Sequence, residues 1–165
     1  MLAWLLGAKP LWEWCSYGDL DKVKALLGQG EDVNGKSSCG KTGLILAVEK
    51  HHNSVVDLLL QQPRIDVNWN DNHGFCALAE ACFVNNAEAV RMLAIHPTMS
   101  GLNLWTQTGD FPLMIAVKRG YVECAKVLVA LPGQNLKKRE HWDPKKSLLE
   151  VARYTGFMKR LIASF

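Results

Sequence analysis

One skeleton returns five times along the chain, and it constrains the fold more than any other feature. Its anchors are Leu11, Leu44, Leu78, Leu113 and Leu149, spaced 33, 34, 35 and 36 residues apart. Three residues after each of the last four stand Ala47, Ala81, Ala116 and Ala152; Trp14 takes that place in the first. Seven residues after the anchors come Gly18, His51, Asn85, Gly120 and Gly156. The spacing predicts a short helix with its small residue on the packing face, where a neighbouring helix can approach closely. Glycine or asparagine then tolerates the positive φ that ends a helix. His51 fits that role less well.

A second apolar helix is expected after each stop. Its predicted face is Val23, Leu26 and Leu27, then Val56, Leu59 and Leu60, then Val90, Leu93 and Ala94, then Ala125, Leu128 and Val129. Each helix is expected to end at or near Gly28, Pro63, Pro97 or Pro132. Next come "EDVN", "IDVN", "GLN" and "NLK", followed by polar turn residues. A helix pair this small cannot bury its own apolar faces, so the units must stack. The expected fold is an all-α repeat solenoid of four full units, 9–35, 36–69, 70–104 and 105–138. A shortened fifth unit, 139–165, follows, and its truncation suggests a piece of a longer protein.

The remaining composition narrows the function classes. No apolar run is long enough to span a bilayer. The opening "MLAWLLGAK" lacks a basic region and a small-residue cleavage site, so no signal peptide is read there. Five cysteines, Cys15, Cys39, Cys76, Cys82 and Cys124, include no C-x-x-C. An odd set of thiols without a secretory signal points to a reducing compartment, cytoplasm or nucleus. The adjacent His51 and His52 cannot aim both rings at one metal from a helix, so no metal site is expected. From Lys137 onward eight Lys/Arg face three Asp/Glu, which leaves the rest of a +3 chain at −2. This basic end lacks interleaved aromatics and any nucleic-acid motif, which argues against nucleic-acid binding.

One segment competes with the repeat reading. "GKSSCGKT", Gly35 to Thr42, spells the phosphate-binding loop G-x-x-x-x-G-K-[ST] letter for letter. The alternative function is therefore a nucleotide-binding phosphotransferase. That loop needs a buried strand before it and a strand-end carboxylate for magnesium later. "GQGEDVN" precedes it, which is turn chemistry, and no later apolar run ending in Asp reads as a strand. In the repeat frame, Gly40 aligns with Gly74 and Gly109 as a hairpin glycine. Thr42 then becomes a helix N-cap, and Lys41 is expected at a solvent-facing site. No nucleophile–base pair can be assembled, so no catalytic residue is named and no cofactor is expected.

"GKTGLILAVEKHHNSVVDLLL" with "IDVN", "GDFPLMIAVKRGY" with "AKVLV", and "KKSLLEVARYTGF" resemble the ankyrin repeat. The departures are local: Gly43, Ala77 and Leu148 replace the usual proline, and His51 and Asn85 replace glycine. The resemblance covers about Lys9 to Phe165. It implies stacked helix pairs with β-hairpin tips, a monomeric domain, no enzymatic activity, and binding of another protein at the tips and first helices, on the concave side. The contact candidates it implies are Ser38, Cys39 and Lys41, then Asn72, His73 and Phe75, then Gln107, Thr108 and Asp110. On the first helices they are Glu49 and Lys50, Phe83 and Val84, and Lys118 and Arg119. Trp69, Trp105 and Trp142 fall in turns where the family has mostly polar residues; they either contact a partner or pack along neighbouring hairpins. The resemblance also implies possible hydroxylation of Asn34 and Asn68, each with a leucine eight residues before it. The alternative is a turn asparagine bonding its own backbone.

Overall fold

A computed structural model describes residues 9–131. The fifth unit 139–165, the end of the fourth, the basic segment from Lys137 and Trp142 all lie outside the described residues. Among the described residues four helix pairs follow one another: α1 (Leu11–Tyr17) with α2 (Leu20–Gly28), α3 (Gly43–Glu49) with α4 (Asn53–Leu60), α5 (Ala77–Phe83) with α6 (Ala87–Ala94), and α7 (Pro112–Arg119) with α8 (Val122–Val129). The first helices stack in one layer, α1 on α3 on α5 on α7. The second helices stack in the other, α2 on α4 on α6 on α8. The fold is a helical repeat solenoid.

Local chemistry sets the helix boundaries. The four residues at the stop position share a left-handed backbone, with φ of 73° at Gly18, 59° at His51, 58° at Asn85 and 72° at Gly120. Geometry at this turn is fixed by the stack, so His51 adopts it despite its Cβ. Asp19 and Asn86 start α2 and α6 by accepting the N–H of Lys22 and Ala89. Asn86 is buried, and its amide also donates to Asn53 Oδ1 at 2.8 Å and to Val48 O at 3.3 Å. One side chain thus caps its own helix and ties it to the previous pair.

The core is continuous through all four pairs. The anchors Leu11, Leu44, Leu78 and Leu113 are buried, as are Ala47, Ala81 and Ala116. On the second helices the buried stripe runs through Val55, Val56 and Leu59, then Ala89, Val90 and Leu93, then Cys124, Ala125 and Leu128. It lies one residue earlier than the predicted stripe, because each second helix packs sideways on its neighbours as well as inward on its own first helix. Leu26, Leu27, Leu60 and Val129 are only half-buried. On α2 the equivalent of Val55 is Lys22, which is exposed. Among the described residues no second helix precedes α2 to cover that flank.

Between pairs the chain makes tight turns. Ser37 N–H donates to Lys41 O at 3.0 Å, Asp71 N–H to Phe75 O at 3.0 Å, and Thr106 N–H to Asp110 O at 2.8 Å. Gly40, Gly74 and Gly109 sit at the matching position with φ of 75°, 79° and 78°. A Cβ at Gly74 would lie 2.9 Å from the Gln107 nitrogen, so close hairpin stacking as well as φ requires glycine. The tips are too short for regular strands: among the described residues there is only an isolated antiparallel bridge between Lys36 and Thr42. Single backbone–backbone bonds join consecutive tips, Asn72 N–H to Cys39 O and Gln107 N–H to His73 O, both at 3.1 Å.

Candidate functional site

The face built from the tips and the first helices carries one recurring contact. The residue after each tip glycine meets the residue eight positions later, on the last turn of the following helix. Lys41 Nζ lies 2.6 Å from Glu49 Oε2. Phe75 and Phe83 stack edge-to-face with ring centroids 5.5 Å apart. Asp110 Oδ1 lies 3.0 Å from Lys118 Nζ. The register is constant and the chemistry changes: cation to anion, ring to ring, anion to cation.

Next to the first pair, a carboxylate enters from the neighbouring repeat. Glu80 is buried, and its Oε1 stands 3.6 Å from Lys41 Nζ. Burial pushes the Glu80 carboxyl above the ordinary range; the Lys41 charge opposes this, while Glu49 and Asp71 add to it. Burial pulls Lys41 down, but the Glu49 hydrogen bond and the charges of Glu80, Glu49 and Asp71 outweigh it, so its pKa is raised. At Glu49 burial pushes up, and hydrogen bonds from Lys41 and Lys50 reverse the sign. Lys41 is therefore not the solvent-facing residue expected from its position in the repeat. It is half-buried and ion-paired to two repeats. The sequence reading missed Glu80, although it replaces Leu46 and Ile115 at the same register. A carboxylate on an otherwise apolar position was the available signal.

The second pair borders a half-open cleft of about 410 Å³. Phe75, Phe83 and Ile115 supply its apolar wall, and Thr108, Lys118 and Arg119 part of its rim. The Arg119 guanidinium lies 3.7 Å over the Phe83 ring, a cation–π contact. Phe83 nevertheless stays 39 % exposed. The register brings Lys41, Glu49, Lys50, Phe75, Phe83, Val84, Asp110, Lys118 and Arg119 onto one face.

The other candidates have separate surroundings. Ser38, Cys39, Asn72, His73, Gln107 and Thr108 are exposed along the tips. The Asn72 amide donates to Ser38 O at 3.2 Å, and the Gln107 amide to Asn72 O at 2.7 Å. Trp69 is half-buried; its indole N–H donates to Gly40 O at 2.8 Å, and Lys36 Nζ stands 3.4 Å over its ring. Half-buried Trp105 packs edge-to-face on Phe111, with centroids 5.6 Å apart. Asn34 Nδ2 donates to Arg64 O at 2.7 Å while its Oδ1 accepts Asp66 N–H at 2.9 Å. Asn68 repeats this with Thr98 O at 2.7 Å and Ser100 N–H at 2.8 Å. Both amides reach into the next repeat rather than bonding their own turn. Asp32 and Asp66 form the local turn bonds instead, to the N–H of Asn34 and Asn68.

The phosphate-loop reading has no geometric counterpart. Thr42 is buried and its hydroxyl caps α3 by accepting Ile45 N–H at 3.4 Å, so it faces a helix end rather than a metal site. Lys41 is held by carboxylates. Among the described residues no group of three His, Cys, Asp or Glu could hold a metal.

The helix pairs, left-handed stops and glycine tips recur in one known family, and its models match this chain. The model of three ankyrin repeats covers residues 11–101, and the single-repeat model residues 108–139. The chain belongs to the ankyrin-repeat family. An ankyrin-repeat protein of Escherichia coli, YahD, is 32 % identical over 120 residues, which covers 70 % of this chain and 59 % of that protein. The human transient receptor potential cation channel subfamily A member 1 is 32 % identical over 126 residues, 74 % of this chain and 11 % of the channel. Human Rabankyrin-5 is 33 % identical over 125 residues, 76 % of this chain and 11 % of that protein. The chain therefore matches a minor segment of two of these relatives and somewhat over half of the third. As an ankyrin-repeat stack it is a protein–protein interaction module, of a family that is generally non-enzymatic. No described helix is long and apolar enough to cross a membrane.

Proposed function

We propose that the face formed by the tips and first helices of the second to fourth repeats, the concave side of an ankyrin stack, binds a protein partner. The observation that carries this is the exposed Phe83 ring, held between Phe75 and Arg119 beside an open apolar cleft. An aromatic braced in this way loses little conformational freedom on binding, which suits an interface anchor. Ser38, Cys39, Asn72, His73, Gln107 and Thr108 form the polar rim, with Val84 beside the ring. Trp69 and Trp105 act on the same face by holding the tips in place. The domain works as a monomer inside the cell, without catalysis.

Site-specific photo-crosslinking tests this reading. A photoreactive amino acid replaces Val84 or Thr108, and a control replaces Ile95, which is 79 % exposed on the second-helix layer. In native cells the first two positions should trap the same protein, and the control should not. Equal trapping from Ile95, or no adduct from either face position, defeats the proposal.

A further inference from the structure

Among the described residues the charges around the cleft are not balanced. Asp110 and Lys118 are bonded to each other. Arg119 meets no carboxylate among the described residues; its guanidinium rests only on the Phe83 ring. Lys118, Arg119 and Asp110 sum to +1 beside the Phe75–Phe83–Ile115 wall. Lys41 and Lys50, by contrast, are both matched by Glu49. A fork of donors stacked on an aromatic ring is preorganised for a planar, bidentate carboxylate. A cleft of about 410 Å³ falls in the size range of side-chain and ligand pockets.

We infer that the cleft takes an acidic, hydrophobic peptide segment: a large apolar side chain seated against Phe75, Phe83 and Ile115, with an Asp or Glu within two residues of it pairing with Arg119. The inference rests on the concave-face reading above and names the chemistry of its partner. The single Arg119 fork fits one carboxylate, whereas a polyphosphate backbone recruits several cations. A basic segment would oppose Arg119 and would lose the cation–π contact if it displaced that side chain. Stacking on Phe83 also removes part of the guanidinium from water, which strengthens the ion pair it can form.

Display of random twelve-residue peptides against the full chain tests the inference. The enriched peptides should carry Leu, Ile, Met or Phe within two residues of Asp or Glu. The best of them, made with a fluorescent label, should bind Arg119→Glu about tenfold more weakly by fluorescence anisotropy. Replacing its acidic residue by Lys should restore binding to that variant and weaken binding to the original chain. Arg119 is exposed, so its replacement should leave the melting curve unchanged. Enrichment of peptides without acidic residues, no enrichment at all, or equal affinity for Arg119→Glu overturns the inference. If Phe83→Ser weakens binding and Arg119→Glu does not, the concave-face reading survives and the acidic requirement falls. If neither changes affinity, both fall. Phe83 is partly exposed and Ser is small, and a circular dichroism melt confirms that this variant is folded before it is used.

Discussion

The carboxamide oxygen of Asn34 accepts the backbone N–H of Asp66 at 2.9 Å, thirty-two residues along the chain. With the bond from Asn34 Nδ2 to Arg64 O, this fastens one inter-repeat turn to the next, and Asn68 does the same one repeat later. Asn34→Ala or Asn68→Ala removes two backbone partners at once. Each should cost about 1–2 kcal/mol of stability, measured by urea unfolding. In a nearest-neighbour stack the loss should also lower cooperativity, visible as a broadened transition. An unchanged midpoint would show that water replaces the amide without cost.

His51→Gly should stabilise the protein. His51 holds φ at 59° and Asn85 at 58°, where a Cβ is unfavourable. Glycine relieves that strain and loses more entropy on folding, so the net gain is a few tenths to about 1 kcal/mol. The gain at Asn85→Gly should be smaller, because asparagine tolerates this region better and Asn85 Oδ1 also accepts the Cys124 thiol at 3.5 Å. Thermal unfolding of both variants decides the order; a lower melting temperature for His51→Gly would refute it.

Thr42→Val should cost about 1 kcal/mol through loss of the α3 cap, with no change in any nucleotide affinity. Calorimetric titration of the full chain with ATP or GTP and magnesium should show no binding. Micromolar affinity abolished by Lys41→Ala would reinstate the phosphate-loop reading of Gly35–Thr42.

Glu80 should make stability depend on pH in a specific sense. Burial raises its folded pKa above the ordinary 4.5, so the folded state binds the proton more tightly. Its favourable contribution is complete below about 4.5 and fades as pH rises through the folded value. Glu80→Gln removes this titration. The melting temperature of the native chain relative to Glu80→Gln should therefore fall as pH rises from 4 into the neutral range. Glu49 has the opposite sign: its folded pKa is lowered, and its stabilisation is lost only as pH falls below 4.5. A constant difference between the two proteins from pH 4 to 8 would contradict the assignment to Glu80.

The repeat phase was legible because its anchors recur at matching positions. Leu44, Ala47 and Gly40 each have counterparts in the following units, and periodicity displays them. The buried stripe on the second helices shifted by one residue because Val55, Ala89 and Cys124 are buried by the adjacent repeat, which a single helix cannot reveal. Lys41 was misplaced for the same reason: its partner Glu80 lies thirty-nine positions away and one repeat over. The face proposed for contact could be outlined from the resemblance. The cleft could not, because it depends on how Arg119 of one repeat lies across Phe83 of another.

The eight-residue pairing of tip and helix has a consequence for how such a surface can change. Lys41–Glu49, Phe75–Phe83 and Asp110–Lys118 occupy equivalent places, and each closes its own rung without needing the others. The backbone bonds, glycine tips and buried leucines beneath them are indifferent to which pair is present. If this face is the binding face we propose, recognition and architecture are written in separate alphabets. A duplicated gene could exchange one rung, alter what is recognised there, and leave the spine of the molecule untouched.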